Sequence, residues 1–477
     1  MKSIKLNMLL NMFRTAFTVL FPFIIFQYAS RRLFATNLGK VDFSLSVVNY
    51  FLLFAGLGTS SYGIRESGKY VRNKVQMQKF ASEVFTINVI STLISYFALF
   101  LTVLLVPKLQ HYSILIVIQS LIIFFTTMGL DWINVIYEDY KYITFRTLIF
   151  QIITLILVLI FVREKSDYFI FALISIFGKI FPEILNYFHI RKHYFSVNLI
   201  LSKRLLAHLK PIIIIFFNSL VISIYVNLDT TMIGFFKTDR DVGYYSVAVK
   251  IYTAIKSIFS AIISVTVARM SLYYSNNEHG NIQKLLSGMV NYFTLLIIPI
   301  IVMVMTLSRQ IIFNLFGAGY SNSIYSLQIL CGAIIFAVYA STITNSIFLP
   351  LGFERFSLVA TSIGALINFS LNWYTIPHFG IEGAATTTLL AEFVVFLVTY
   401  ICLKKERIVF FSYLSLKNIL FTLFISVWII LINNILPSIF HQSLLLLILE
   451  SIFNVIPYLF VFRSEILKRM YRVLDRS

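Results

Sequence analysis

The stretch PIIIIFFNSLVISIYVNLDTTMIGFFKTDRDVGYYSVAVKIYTAIKSIFSAIIS (211–264) decides how the chain is interpreted. It contains two long apolar segments, 211–236 and 243–267, which are joined by a short polar turn. Each segment exceeds the roughly 20 residues that a helix needs to cross a hydrocarbon core. Because the apolar character is continuous and does not alternate, we predict two membrane-spanning helices rather than strands of a barrel.

The composition extends this interpretation to the whole chain. Of the 477 residues 59% are hydrophobic and only 12% are charged, whereas a soluble domain carries about 25% charged residues. The sequence therefore predicts an all-α polytopic membrane protein with about fourteen transmembrane helices. The predicted spans are 7–29, 41–64, 81–106, 113–136, 145–162, 168–188, 211–236, 243–267, 285–307, 322–349, 357–376, 383–403, 416–436 and 443–462.

The basic residues predict the orientation in the membrane. The net charge is +19, but the basic residues lie in short loops, so we expect membrane lipids and no nucleic acid as partners. With the N-terminus placed in the cytoplasm, 26 of the 39 lysines and arginines fall on the inner side and nine on the outer side. Inner segments of membrane proteins are enriched in Lys and Arg. Both termini are therefore predicted to be cytoplasmic.

The chain is predicted to consist of two pseudo-symmetric six-helix bundles around a central cavity, followed by two further helices. An offset of 202 aligns the outer turn of one bundle with that of the other. The aligned residues are Phe34, Thr36, Phe43, Ser44 and Val47 with Phe236, Thr238, Tyr245, Ser246 and Val249. The predicted units are an N-terminal bundle (1–188), an amphipathic cytoplasmic linker (189–210), a C-terminal bundle (211–403) and two helices with a basic cytoplasmic tail (404–477).

Polar and charged residues within the spans are candidates for a substrate site, because charges at membrane depth are costly and usually functional. Some have a structural alternative: Arg14 could reach the inner surface, Lys179 could pair with Glu183, and the polar stripes could join helices. Lys250 and Asp229 are predicted to lie at similar depth and to form a pair, either static or coupled to transport. The candidate substrate-binding residues are Asn11, Arg14, Asn49, Lys179, Asn218, Tyr225, Asp229, Lys250 and Lys256.

Two acids are the candidates for ion coupling, Asp229 and Glu392, with a structural hydrogen bond as the alternative for Glu392. The sequence has no HExxH, GxSxG, CxxC or P-loop motif. Its two cysteines fall in apolar segments and indicate no disulfide framework or metal site. We therefore predict a protein that is not an enzyme and has no cofactor, and an H⁺ or Na⁺ gradient as its energy source.

Three stretches resemble the bacterial polysaccharide repeat-unit flippases, the Wzx-type O-antigen and capsule transporters. These proteins belong to the superfamily of multidrug, oligosaccharidyl-lipid and polysaccharide exporters. The family commonly has a glycine where this chain has Tyr137. The stretches are GLDWINVIYEDYKYITFR (129–146), NLDTTMIGFFKTDRDVGYYSVAVKI (227–251) and LPLGFERFSLVATSIGALINFSLNWYTIPHFGIEGAATTTLLAEF (349–393).

The resemblance implies alternating access between two bundles in a bacterial plasma (inner) membrane. The implied substrate is an undecaprenyl-pyrophosphate-linked oligosaccharide, which would be flipped from the inner to the outer leaflet for capsule or O-antigen synthesis. A polysaccharide polymerase and the chain-length machinery are the implied partners. A drug/cation antiporter of the same fold is the main alternative. A membrane-embedded polymerase fits less well, because the outer loops are short.

Overall fold

The computed structural model describes residues 4–405, 410, 415–439 and 454. Within these ranges, only the backbone is described for 4–16, 218, 222, 224, 265, 268 and 436–439. The described regular structure is entirely helical. The helices are α1 (Ile4–Gly56), α2 (Thr59–Ser67), α3 (Lys74–Leu105), α4 (Pro107–Gln110), α5 (Ser113–Gly129), α6 (Asp131–Ile136), α7 (Tyr140–Phe161), α8 (Tyr168–His193), α9 (Leu205–Phe236), α10 (Asp239–Ser275), α11 (His279–Thr306), α12 (Ser308–Leu315), α13 (Ser323–Ile343), α14 (Leu349–Leu351), α15 (Glu354–Lys405) and α16 (Leu416–Ile439).

Two helices are long enough to hold two spans each. α1 has 53 residues and α15 has 52, which corresponds to roughly 80 Å of straight helix against a hydrocarbon core of about 30 Å. Each is broken near its middle by a residue with positive φ, Phe34 at 60° and Gly380 at 61°. The breaks lie where the sequence predicts an outer turn.

The other predicted spans also fall on helices, with local differences. The span predicted at 113–136 is interrupted, because Leu130 adopts φ 53° and ψ 36° between α5 and α6. α9 is bent by 55° between its segments 205–221 and 225–236. The last predicted span, 443–462, lies outside the described residues. Among the described residues, nine helices are long and apolar enough to cross a membrane. The number is ten if the two segments of the bent helix α9 are counted as one span. In both counts α1 and α15 are counted once each.

The segment that joins the two halves is only partly a separate linker. Of the predicted 189–210, the first five residues complete α8 and the last six begin α9. The stretch between them runs without helix beside α3, where the backbone N–H of Ile200 donates to Thr86 Oγ1 (2.9 Å). The start of α9 is tied to the same half by His208, which contacts Glu83 (3.1 Å) and Tyr62 (2.6 Å).

The two halves, 4–193 and 205–405, meet mainly through α1, which packs against α9 and α10. At this crossing, the two halves are in close contact at the end of the molecule that contains the Phe34 break. The helices approach so closely there that a Cβ on Gly39 would lie 1.7 Å from the Asp239 carbonyl oxygen, and one on Gly243 would lie 2.0 Å from the Ala35 carbonyl oxygen. Glycine is therefore required at both positions for this contact to form.

Candidate functional site

A cavity of about 520 Å³ lies inside the first half and is completed by one residue of the second. Its wall comes from α1, α5, α6, α7 and α8, and Lys250 enters from α10. Although these helices are strongly apolar, about half of the lining residues are polar or charged. The polar lining residues are Thr18, Asp42, Gln119, Thr126, Asp131, Arg146, Thr147, Gln151, Thr154, Ser175, Lys179, Glu183 and Lys250.

One group of charges in this cavity consists of Lys179, Lys250 and Asp42. Both lysines line the cavity and have exposed side chains. Asp42 lies in the electrostatic field of both and is hydrogen-bonded to Ser246. This group carries two positive charges and one negative charge at a depth where charge is otherwise costly.

A second group of charges consists of Arg146, Asp131 and Glu183. Nη2 of Arg146 lies 2.6 Å from Asp131 Oδ1, and Glu183 acts electrostatically on both residues. Gly129 makes room for this acid, because a Cβ there would overlap the Glu183 carboxylate. This group therefore contains two acids and one base.

The second half contains a buried polar cluster around Asp229. Asn372 Nδ2 donates to Asp229 Oδ1 (2.6 Å), and the hydroxyls of Tyr245 and Thr388 both donate to Oδ2. Asn372 also donates to Asn368 Oδ1 (3.1 Å). The carboxylate on α9 therefore sits among amide and hydroxyl groups supplied by α10 and α15.

A second cluster in this half joins Lys256 to Glu392 with 2.7 Å between Nζ and Oε1. The hydroxyl of Tyr252 donates to the same carboxylate oxygen (2.8 Å), and Tyr225 lies in electrostatic contact with Glu392. Glu392 is buried, with a side-chain exposure of 5%, whereas Lys256 is 32% exposed.

The structure distributes the predicted substrate-binding residues over several environments. Lys179 and Lys250 line the cavity. Asn49 instead donates to Asn227 (3.1 Å) across the contact between α1 and α9. Asp229, Tyr225 and Lys256 belong to the two clusters of the second half. The side chains of Asn11, Arg14 and Asn218 lie outside the described residues.

The pairing predicted for Asp229 and Lys250 is not found among the described contacts. The two residues lie on adjacent antiparallel helices, but α10 presents Tyr245 to Asp229. Lys250 follows five residues later and so points about 140° away around the helix. Its ammonium group lies over the Phe26 ring at 5.3 Å, on the α1 side.

The ion pair considered for Lys179 and Glu183 is likewise absent from the described contacts. Both side chains line the cavity. However, the charged neighbours of Lys179 are Lys250 and Asp42, whereas those of Glu183 are Asp131 and Arg146. The cavity charges are therefore balanced between helices rather than within α8.

Sequence reasoning missed several members of the cavity wall. Arg146 falls inside the predicted span 145–162 but was not named as a site residue, and it lies nearly two turns inside α7 with a side-chain exposure of 3%. Gln119 and Gln151 were not named either, although a glutamine in an apolar span is an available signal. Asp131 lies in the family-like stretch 129–146, but neither it nor Asp42 was assigned to the site.

The pair of Lys256 and Glu392 gives a first prediction. Changing Lys256→Met leaves a buried carboxylate without its cation. We expect a loss of unfolding free energy toward the lower end of the ~3–5 kcal/mol that breaking a buried pair costs, because Lys256 is partly exposed. The double variant Lys256→Met, Glu392→Leu should recover most of the lost unfolding free energy. Thermal unfolding in detergent measures the stability of the single and double variants, and a change at an exposed lysine, Lys404→Met, is the control. A double variant as unstable as the single one would contradict a pairing role.

Solved structures share this fold. The lipid II flippase MurJ, in an inward closed conformation, matches with a TM-score of 0.72 at 19% identity, over 97% of this chain and 98% of that one. An inward-facing multidrug resistance MATE family transporter of the MOP superfamily matches with a TM-score of 0.62 at 14% identity, over 82% of this chain and 94% of that one. These likenesses confirm the predicted all-α polytopic membrane fold.

Sequence comparison gives a relative and a family. A probable low-salt glycan biosynthesis flippase of Haloferax volcanii is 32% identical over 168 residues, so the alignment covers only 35% of this chain and 35% of the relative. A family model described as polysaccharide biosynthesis protein matches residues 4–273. Because this model covers more than half of the 477 residues, the chain belongs to the polysaccharide biosynthesis protein family and is a multi-pass membrane protein.

Proposed function

We propose that this protein flips a lipid-linked oligosaccharide, with an undecaprenyl-pyrophosphate carrier, from the inner to the outer leaflet of a bacterial plasma membrane. The observation that carries the proposal is the polar cavity of about 520 Å³ enclosed by apolar helices. A sugar headgroup cannot cross hydrocarbon unless its polar groups find partners along the way. The family, the flippase relative and the transporter fold all support transport rather than an enzymatic reaction.

The chemistry of the cavity suits a phosphorylated sugar. Lys179 and Lys250 are exposed residues that line the cavity and supply cations for a phosphate. The side-chain oxygens of Gln119 and Gln151 are buried acceptors for which the described residues supply no donor, and sugar hydroxyls are donors of the required kind.

Transport by alternating access requires the cavity to open to each side in turn. In the predicted orientation, with both termini in the cytoplasm, the closed contact between α1 and α10 lies on the outer side. We propose that the headgroup is loaded from the inner leaflet while this contact is formed. A polysaccharide polymerase and chain-length proteins would act on the product for capsule or O-antigen synthesis.

An ion gradient is the proposed source of energy, and Asp229 is its proposed site. Its carboxylate is held by the amide nitrogen of Asn372 and by the hydroxyls of Thr388 and Tyr245, so a proton or Na⁺ would meet the carboxylate and two hydroxyl oxygens. The cluster includes a residue that follows the helix break at Gly380, and broken helices often form ion sites in transporters. Glu392 could take part only after its release from Lys256.

A drug/cation antiporter is the second candidate, because the cavity wall also carries Asp42, Asp131 and Glu183. Proteoliposomes separate the two functions. We expect flipping of an undecaprenyl-pyrophosphate oligosaccharide, detected by a membrane-impermeant glycosidase, and a faster rate with an inward H⁺ or Na⁺ gradient. Protein-free liposomes are the control. Absence of flipping together with gradient-driven uptake of an organic cation would contradict the proposal and support the antiporter.

A further inference from the structure

Arg146 is a buried cation with unused donors at the wall of the cavity. Nη2 donates to Asp131 at 2.6 Å, and Cζ of the guanidinium lies 5.4 Å from the centre of the Tyr142 ring. Nε and Nη1 are shielded from solvent, and the described residues offer them no acceptor. Buried donors without acceptors cost free energy, more so on a charged group. Because the cavity reaches this side chain, a ligand in the cavity is the natural source of the missing acceptors.

The position of Arg146 is fixed by a chain of hydrogen bonds. Its partner Asp131 begins α6 directly after the backbone break at Leu130. Asn186 on α8 donates to Asp131 Oδ1 (2.9 Å) and also to the carbonyl oxygen of Gly129. Three helices thus hold the guanidinium and its acid in place, so the unused donors are preorganised for a ligand.

The charges show which kind of ligand fits this end of the cavity. Arg146 shares it with two acids, Asp131 and Glu183, so acids outnumber bases there. Around Lys179 and Lys250, with Asp42, the sum of the charges is positive. Lys179 and Glu183 lie one turn apart on α8, about 6 Å along its axis. A phosphate is attracted to the end of the cavity with Lys179 and Lys250 and repelled from the end with the carboxylates. The sugar bonded to that phosphate then extends toward Arg146, Asp131 and Glu183.

We propose that Arg146, Asp131 and Glu183 form the subsite for the phosphate-proximal sugar, and that this sugar is uncharged or carries an amino group. Its hydroxyl oxygens accept from Nε and Nη1 of Arg146. Its hydroxyl or ammonium hydrogens are donated to the carboxylates of Asp131 and Glu183. A carboxylate on this sugar would face both acids, so acidic sugars are selected against. This inference rests on the proposed flippase function.

The test compares three synthetic probes on the full chain in nanodiscs: a short prenyl pyrophosphate, the same lipid carrying N-acetylglucosamine, and the same lipid carrying glucuronic acid. We expect the N-acetylglucosamine probe to bind about tenfold more tightly than the sugar-free probe, and the glucuronic acid probe to show no such gain. Arg146→Gln should abolish the gain, so that the N-acetylglucosamine probe binds this variant no more tightly than the sugar-free probe does. The double variant Asp131→Asn, Glu183→Gln should lift the discrimination against glucuronic acid.

Lys250→Gln is the matched control, since it should weaken all three probes alike. If Arg146→Gln does not fold, as judged by size-exclusion chromatography, Arg146→Gln with Asp131→Asn replaces it, because this double variant removes both partners of the ion pair. Equal weakening of the sugar-free and sugar-bearing probes by Arg146→Gln would overturn the subsite, as would equal wild-type affinity for both sugars. Failure of the wild type to bind even the sugar-free probe would overturn the flippase function itself.

Discussion

Replacing Gly243 with leucine is expected to reduce flipping at least 100-fold while the protein still inserts in the membrane. A Cβ at this position would lie 2.0 Å from the Ala35 carbonyl oxygen. Backbone cannot move aside as a side chain can, and overpacking costs about 1–3 kcal/mol or more. The contact between α1 and α10 then fails to form. The protein can no longer adopt the conformation in which its two halves are joined near Phe34.

Flipping in proteoliposomes measures this effect, and labelling of Lys179→Cys by an impermeant thiol reagent reports the open end. In the predicted orientation, the variant should be labelled from outside much faster than the parent. Gly280→Leu is the control, because nothing lies within 4 Å of a Cβ built there. Normal flipping by Gly243→Leu would show that this close contact is dispensable for transport.

The second large effect is expected for Asp229→Asn, which we predict to lower gradient-driven flipping by at least tenfold. The carboxylate accepts three hydrogen bonds, from Tyr245, Thr388 and Asn372. An amide of the same size has one oxygen fewer. Its N–H groups would also face the three donors of Tyr245, Thr388 and Asn372 and could not accept from them. Hydrogen bonds to a charged group contribute about 1.5–3 kcal/mol each, so a lower melting temperature should accompany the loss.

The comparison of flipping rates with and without an imposed gradient separates coupling from folding. The exposed acid Glu382 on α15 provides the control Glu382→Gln, which should keep both the rate and its gradient dependence. An Asp229→Asn protein that folds and still responds fully to the gradient would contradict the role of this cluster in coupling. Swapping the charges of Asp229 and Lys250 should not restore transport, since the structure places them in separate environments.

The sequence by itself determined the elements and their order. Length and apolar composition are properties of each segment alone, and the cost of unpaired backbone groups in lipid leaves the helix as the solution for such segments. The outer turns were found for the same local reason: the break at Phe34 and the end of α9 at Phe236 occupy aligned positions of the repeat. Lys179 and Lys250 could be selected as site residues because a charged residue within an apolar span is recognisable from the sequence, without knowledge of its neighbours in space.

The tertiary structure decided which of these charges face one another. Helical periodicity gives the angle between two residues of one helix, but not the rotation of that helix against its neighbours. That rotation is set by packing, such as the approach of α1 and α10 at Gly39 and Gly243. It turned Lys250 toward the cavity and left Tyr245 facing Asp229. The break at Leu130 likewise placed Asp131 beside Arg146, because this pairing depends on three helices whose contacts no single segment encodes.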